Sequence, residues 1–157
     1  MTGNFSAEEH FRRGHAEFDA GRLAESLKHF ATAHRIDPLS PRYRSYYGLC
    51  LGLVDRRFDK ALELCRSAAK EEFFNPALYH NLARVHLGFG FKTEAIRYLR
   101  RGLMIDPECS AIADELEQLG LREKPVLGFL RRQNPLNRWF GRLRSRLRNE
   151  HVVKLAC

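Results

Sequence analysis

Residues 79–107 read YHNLARVHLGFGFKTEAIRYLRRGLMIDP. Leu78, Leu82 and Val85 fall three or four residues apart, and so do Ile96, Leu99 and Leu103 beyond them. That spacing puts each set on one face of an α-helix. Gly90 lies between the two sets, where a left-handed residue suits a helix end. The Asp106–Pro107 pair closes the second helix, because a residue before proline is pushed out of the helical region. The stretch therefore predicts two helices joined by a tight turn.

Working outward, two earlier stretches align with it. Residues 10–38 read HFRRGHAEFDAGRLAESLKHFATAHRIDP, and residues 44–76 read RSYYGLCLGLVDRRFDKALELCRSAAKEEFFNP. Ser26, Ala61 and Ala95 occupy equivalent places, at spacings of 35 and 34. Four residues after each comes Phe30, Cys65 or Leu99. In the first unit Phe11, Gly14, His15 and Phe18 form one stripe, and Leu23, Leu27, Phe30 and His34 form another, with Gly21 between them. Pro38 and Pro107 follow their small residue by 12 positions, whereas Pro76 follows Ala61 by 15, so three extra residues are expected in the second unit. The small residues at 26, 61 and 95 would let paired helices approach closely. Such a pair cannot bury its apolar face alone, so neighbouring pairs must stack. The next segment, ECSAIADELEQLGLR (108–122), places Ile112, Leu116 and Leu119 on one face and reads as a helix covering the last pair.

This pattern resembles the tetratricopeptide repeat, a 34-residue helix–turn–helix unit. The third copy carries the resemblance best, through Tyr79, Leu82, Ala83, Ala95, Leu99 and Pro107. The first keeps Gly14, Phe30, Ala33 and Pro38, with His10 and Arg13 where large apolar residues are usual. The second keeps Gly48, Ala61 and Ala68. The resemblance implies an all-α, right-handed α-solenoid with a tetratricopeptide domain over 7–120. Its three repeats would lie at about 7–40, 41–75 and 76–109, with a capping helix at 110–120 and a basic extension at 121–157.

It also implies a binding scaffold whose first helices line a concave groove for a peptide or a partner's helix. Mapped residue by residue, that groove would include Glu8, Phe11, His15, Phe18, Arg42, Ser45, Leu49, Ala77, His80, Asn81 and Arg84. A Lys/Asn/Arg clamp for a chaperone's C-terminal carboxylate is the best-known version of such a groove. Its matching positions here are Phe11, His15, Tyr46, Ala77 and Asn81, of which only Asn81 fits, which argues against chaperone-tail binding.

Little in the chain points to catalysis or a cofactor. The seven histidines include pairs at 10/15 and 29/34, but five positions on a helix separate side chains by about 140°, a poor arrangement for a shared metal. Cys50, Cys65, Cys109 and Cys157 have no zinc-like spacing. Cys50 and Cys65 are expected inside the second repeat as small apolar groups. Gly88–Phe89–Gly90 follows no strand and is no phosphate loop. With no catalytic signature, no metal and no cofactor expected, and a small-molecule substrate disfavoured, the reading is a non-enzyme. The first residues lack the apolar core of a secretory leader, no apolar run approaches a membrane span, and reduced thiols fit a cytoplasmic setting.

The net charge of +8 is concentrated. Residues 1–121 carry 17 basic and 17 acidic side chains, whereas 122–148 carry nine basic and one acidic. The segment NPLNRWFGRLRSRLR (134–148) predicts a short amphipathic helix with Trp139, Leu143 and Leu147 on one side, and Phe140 beside them. Arg138, Arg142, Arg144, Arg146 and Arg148 cover the rest, and Arg131 and Arg132 precede it. Four roles are open: a lid on the repeats, an anchor on anionic membrane, a nucleic-acid contact, or a ligand for a partner's groove or another copy's. Oligomeric state is left open.

Overall fold

A computed structural model describes residues 5–120. Over these the chain forms seven α-helices and no strand. They are α1 (Ala7–Asp19), α2 (Leu23–Ile36), α3 (Pro41–Val54), α4 (Phe58–Glu71), α5 (Pro76–Gly88), α6 (Lys92–Ile105) and α7 (Ser110–Gln118). Consecutive helices pack as antiparallel pairs, α1 with α2, α3 with α4 and α5 with α6. The pairs stack in chain order, and α7 closes on α6.

The first helix of each pair starts on a side-chain cap. Ser6 Oγ accepts from the Glu9 amide at 3.2 Å, and Ser40 and Asn75 cap α3 and α5, each followed by a proline at the first helical position. Such caps satisfy amides that otherwise lack partners. The second helices start without one. Arg22, Arg57 and Phe91 share one backbone geometry instead, with φ of -86°, -87° and -81° and ψ of 67°, 75° and 67°. Each follows a left-handed residue: Gly21 (φ 74°), Arg56 (φ 57°) and Gly90 (φ 83°). The turn is thus one backbone shape written three times, twice with glycine and once with arginine.

The small residues do what their positions suggested. Ser26, Ala61 and Ala95 are completely buried, as are Phe30, Cys65 and Leu99 one turn later. Across from them stand Gly14 and Gly48. A Cβ on Gly14 would lie 2.6 Å from the Phe30 ring, and one on Gly48 would lie 2.9 Å from Leu64 Cβ and 3.1 Å from the Ala61 carbonyl. Ser26 Oγ donates to the Gly14 carbonyl at 2.8 Å across the same crossing. Close approach lets the apolar faces merge. Phe11, Phe30, Ala33, Tyr43 and Cys50 form one cluster, and Leu49, Ala61, Cys65, Leu82 and Val85 form another that joins the second and third pairs.

The expectation of three extra residues in the second unit is corrected. Each pair is joined to the next helix by four residues, 37–40, 72–75 and 106–109. Pro76 is the counterpart of Pro41, both opening a helix, and not of Pro38. Phe73 stands where Pro38 and Pro107 stand. The residues before them share a backbone shape, with φ of -130°, -109° and -132° and ψ of 88°, 70° and 96° at Asp37, Glu72 and Asp106. The loop keeps its course because the flanking helices are held by packing, so the missing proline leaves its length unchanged. The spacing of 35 rather than 34 comes from α3, which is one residue longer than α1 and α5.

Candidate functional site

The first helices, α1, α3 and α5, present the side chains expected to line a groove, and the structure sorts them into two kinds. Phe11 (5% exposed), Ser45 (0%), Leu49 (0%) and Asn81 (2%) belong to the interior. Asn81 Nδ2 donates to Ser45 Oγ at 3.2 Å, and Leu49 packs with Leu82 and Val85. These four shape the floor without offering surface. His15, Phe18, Ala77, His80 and Arg84 are half-buried, and Glu8 and Arg42 are exposed. The middle repeat loses most because it has neighbours on both sides.

The accessible row is aromatic at its centre and charged at its ends. His15 meets the Tyr46 ring at 4.3 Å and the Phe11 ring at 4.6 Å, both edge-on. The Arg84 guanidinium sits 4.8 Å over the Phe18 ring, and Arg42 sits 4.5 Å over Phe11. Cation–π contact of this kind holds a charge in place while leaving its other face free. At one end Arg42 pairs with Glu8, whose Oε2 also accepts from the Tyr43 hydroxyl at 2.7 Å. At the other end His80 Nε2 pairs with Glu115 of α7. Burial lowers the pKa of His15, so the ring is neutral at pH 7. Burial also raises that of Tyr46, against the pull of Arg84 and a hydrogen bond with Asn81, and keeps its hydroxyl protonated.

Two members of this row, Tyr46 and Glu115, were absent from the expected groove. Tyr46 is next to Ser45 in sequence, and a one-residue phase along α3 decides which of the two faces outward. Glu115 needed the docking angle of α7, which no periodicity encodes. The histidines also meet partners that spacing along one helix could not show. His10 and His29, from α1 and α2, bring their Nδ1 atoms to 3.2 Å. Among the described residues no three His, Cys, Asp or Glu side chains gather into a set able to hold a metal. Burial pushes the Cys50 thiol up to about 11 and the Cys65 thiol up to about 12, which leaves both protonated and unreactive. No described helix is long and apolar enough to cross a membrane. Arg131, Arg132, Arg138, Trp139, Arg142, Arg144, Arg146 and Arg148, and the amphipathic helix expected there, lie outside the described residues.

The paired helices, the shared turn and the small-residue crossings define the fold of a tetratricopeptide-repeat solenoid. The tetratricopeptide repeat family model matches residues 7–40, the first of the three units. Solved structures agree on the architecture. YrrB, described as a TPR protein with an unusual peptide-binding site, superposes with a TM-score of 0.58 at 14% identity, over 73% of this chain and 59% of that one. The chain therefore spans under two thirds of YrrB. The first TPR of Spaghetti (RPAP3), bound to the HSP90 peptide SRMEEVD, also gives 0.58, at 17% identity over 73% of this chain and 90% of its own. PcrH, in complex with the chaperone binding region of PopB, gives 0.55 at 20% identity over 72% and 93%. At such identities the likeness establishes the fold. A search among curated proteins finds no significant sequence match.

Proposed function

We propose that the chain is a non-catalytic scaffold or adaptor that binds a peptide or partner helix along its concave face. The observation that carries this reading is the row His15, Phe18, Tyr46 and Arg84, aromatic and cationic, half-exposed, and held by ring contacts between helices. Rigid aromatic and arginine side chains of this kind are the usual anchors of protein interfaces. The peptide-bound state of Spaghetti and the PopB complex of PcrH lend support by analogy of fold. The raised thiol pKa values fit a role for Cys50 and Cys65 in packing and not in chemistry. A cytoplasmic setting accords with Cys50, Cys65 and Cys109, which form no disulfide among the described residues.

Chaperone-tail recognition is disfavoured. Its one matching residue, Asn81, is buried and committed to Ser45. A photo-crosslinking residue placed at 84 tests the groove directly, using the full chain and a random peptide library. Selected peptides should crosslink at 84 and not at the outward Met104, and Tyr46→Ala should abolish selection. Equal labelling at both positions counts against the groove.

A second reading rests on charge. The whole excess of +8 lies in residues 122–148. Binding to anionic lipid or nucleic acid through these arginines would weaken steeply as salt rises, whereas a mixed aromatic groove would hold its ligand.

A further inference from the structure

The outer side of the solenoid carries a second feature. Between α4 and α6 lies an open hollow of about 290 Å³. Tyr79, Leu82 and Ala69 line it, all nearly inaccessible, and Phe73 and Tyr98 form aromatic walls. Arg66, Lys70 and Arg101 complete the lining, all three exposed. Among the described residues no carboxylate pairs with any of the three. Arg101 is instead poised 5.1 Å over the Tyr79 ring.

The wall is built, not incidental. The Tyr79 hydroxyl donates to the Phe73 carbonyl at 3.1 Å and reaches the Ala69 carbonyl at 3.4 Å, which ties the loop after α4 to the floor. Phe73 is 63% exposed and Phe74 66%. Phe73 stands where both other units have proline. A proline there would keep the loop and remove the wall.

We propose that this outer hollow binds an acidic segment of a protein partner that inserts one large apolar side chain between Phe73 and Tyr98. Three cations with no carboxylate paired to them among the described residues call for carboxylates, and the apolar floor calls for a buried side chain. The volume falls just below the roughly 300–1,000 Å³ of ordinary small-ligand pockets, so one side chain fits where a cofactor does not. A nucleic-acid strand needs a continuous basic groove with successive stacking platforms, and this is a single hollow lined by three helices and a loop.

The test uses the full chain and a fluorescein-labelled synthetic peptide of Asp and Glu around one central Phe, followed by anisotropy at about 0.15 M salt. Phe73→Pro, Arg66→Glu and Arg101→Glu should each weaken binding by about tenfold or more. A peptide with Ala at its centre should lose about as much. His15→Ala and Arg84→Ala should leave affinity within about twofold, since they alter the concave face only. Thermal melts confirm that each variant folds. Four results would overturn the proposal. The first is no binding, and the second is binding insensitive to all three outer variants. The third is binding lost only when Arg142, Arg144 and Arg146 become serine, and the fourth is preferential displacement by a single-stranded RNA oligonucleotide. A failure of the concave groove leaves this outcome untouched, because the two faces are read by different variants.

Discussion

The second repeat and its two neighbours share one backbone and differ in what they hang on it. At the turn, Gly21 and Gly90 adopt the left-handed conformation freely, while Arg56 adopts it at a cost. At the loop, Pro38 and Pro107 face Phe73. In the core, Phe30 and Leu99 face Cys65. The outer units use the residue that suits the local shape. The middle unit departs from it wherever a neighbour can compensate. Arg56 Nη1 donates to the Gly88 carbonyl at 2.8 Å and its guanidinium covers the Phe89 ring at 4.2 Å, so the strained turn bolts the second pair to the end of α5. A repeat flanked on both sides can exchange intrinsic preference for contacts between repeats.

The sharpest way to break this comparison is at the helix crossing. Gly48→Ala should destabilise by about 2 kcal/mol, because its methyl meets Leu64 Cβ and the Ala61 carbonyl, neither of which can swing aside. Gly102→Ala meets the tip of Ile112, at 2.5 Å, which can rotate. Its cost should stay below about 1 kcal/mol, since alanine also favours the helix. Urea denaturation of both variants checks the ranking. Equal costs would mean that the crossings are looser than they look.

Acid should act next. His10, His15, His34 and His86 all have pKa values lowered first by burial, and both ring nitrogens of His86 lack partners. A depressed histidine pKa means that the unfolded chain binds more protons. Stability should therefore be full above pH 6.5 and fall as pH drops below it. Melting temperature followed from pH 8 to pH 5 reads this directly. His86→Phe, which stacks in the same aromatic setting of Phe58, Phe91 and Tyr98, should flatten the slope.

Arg56 sharpens the comparison more finely. Arg56→Ala keeps the left-handed strain and loses the bond to α5, for a cost of about 1–2 kcal/mol. Arg56→Gly loses the bond but relieves the strain, and should cost less than half as much. Smallest of all, Phe73→Pro should shift stability by no more than about 0.5 kcal/mol, since the backbone at Glu72 already lies near that of Asp37 and Asp106, which precede prolines in the other two loops. A larger loss would show that the loop after α4 differs from its two counterparts.

Much of this was legible in the chain itself. The helix periods, Gly21 and Gly90, and the small residues at 26, 61 and 95 are local signals, and they specify paired helices that must stack. Their reading holds because close approach and left-handed turns admit few residue types. The second unit was misread where a signal had a double meaning. Proline ends one helix and begins another, and only the helix bounds show that Pro76 does the latter. Which of Ser45 and Tyr46 faces the groove, that Asn81 is spent on the interior, and that Glu115 reaches His80 all depend on how whole helices rotate against one another. The same is true of the outer hollow, whose lining comes from three helices and a loop. Sequence by itself determined the elements and the fact of their stacking, because those follow from backbone preference and one buried face per helix. The accessible surface was decided by tertiary structure, because exposure is a property of neighbours and no residue carries it alone.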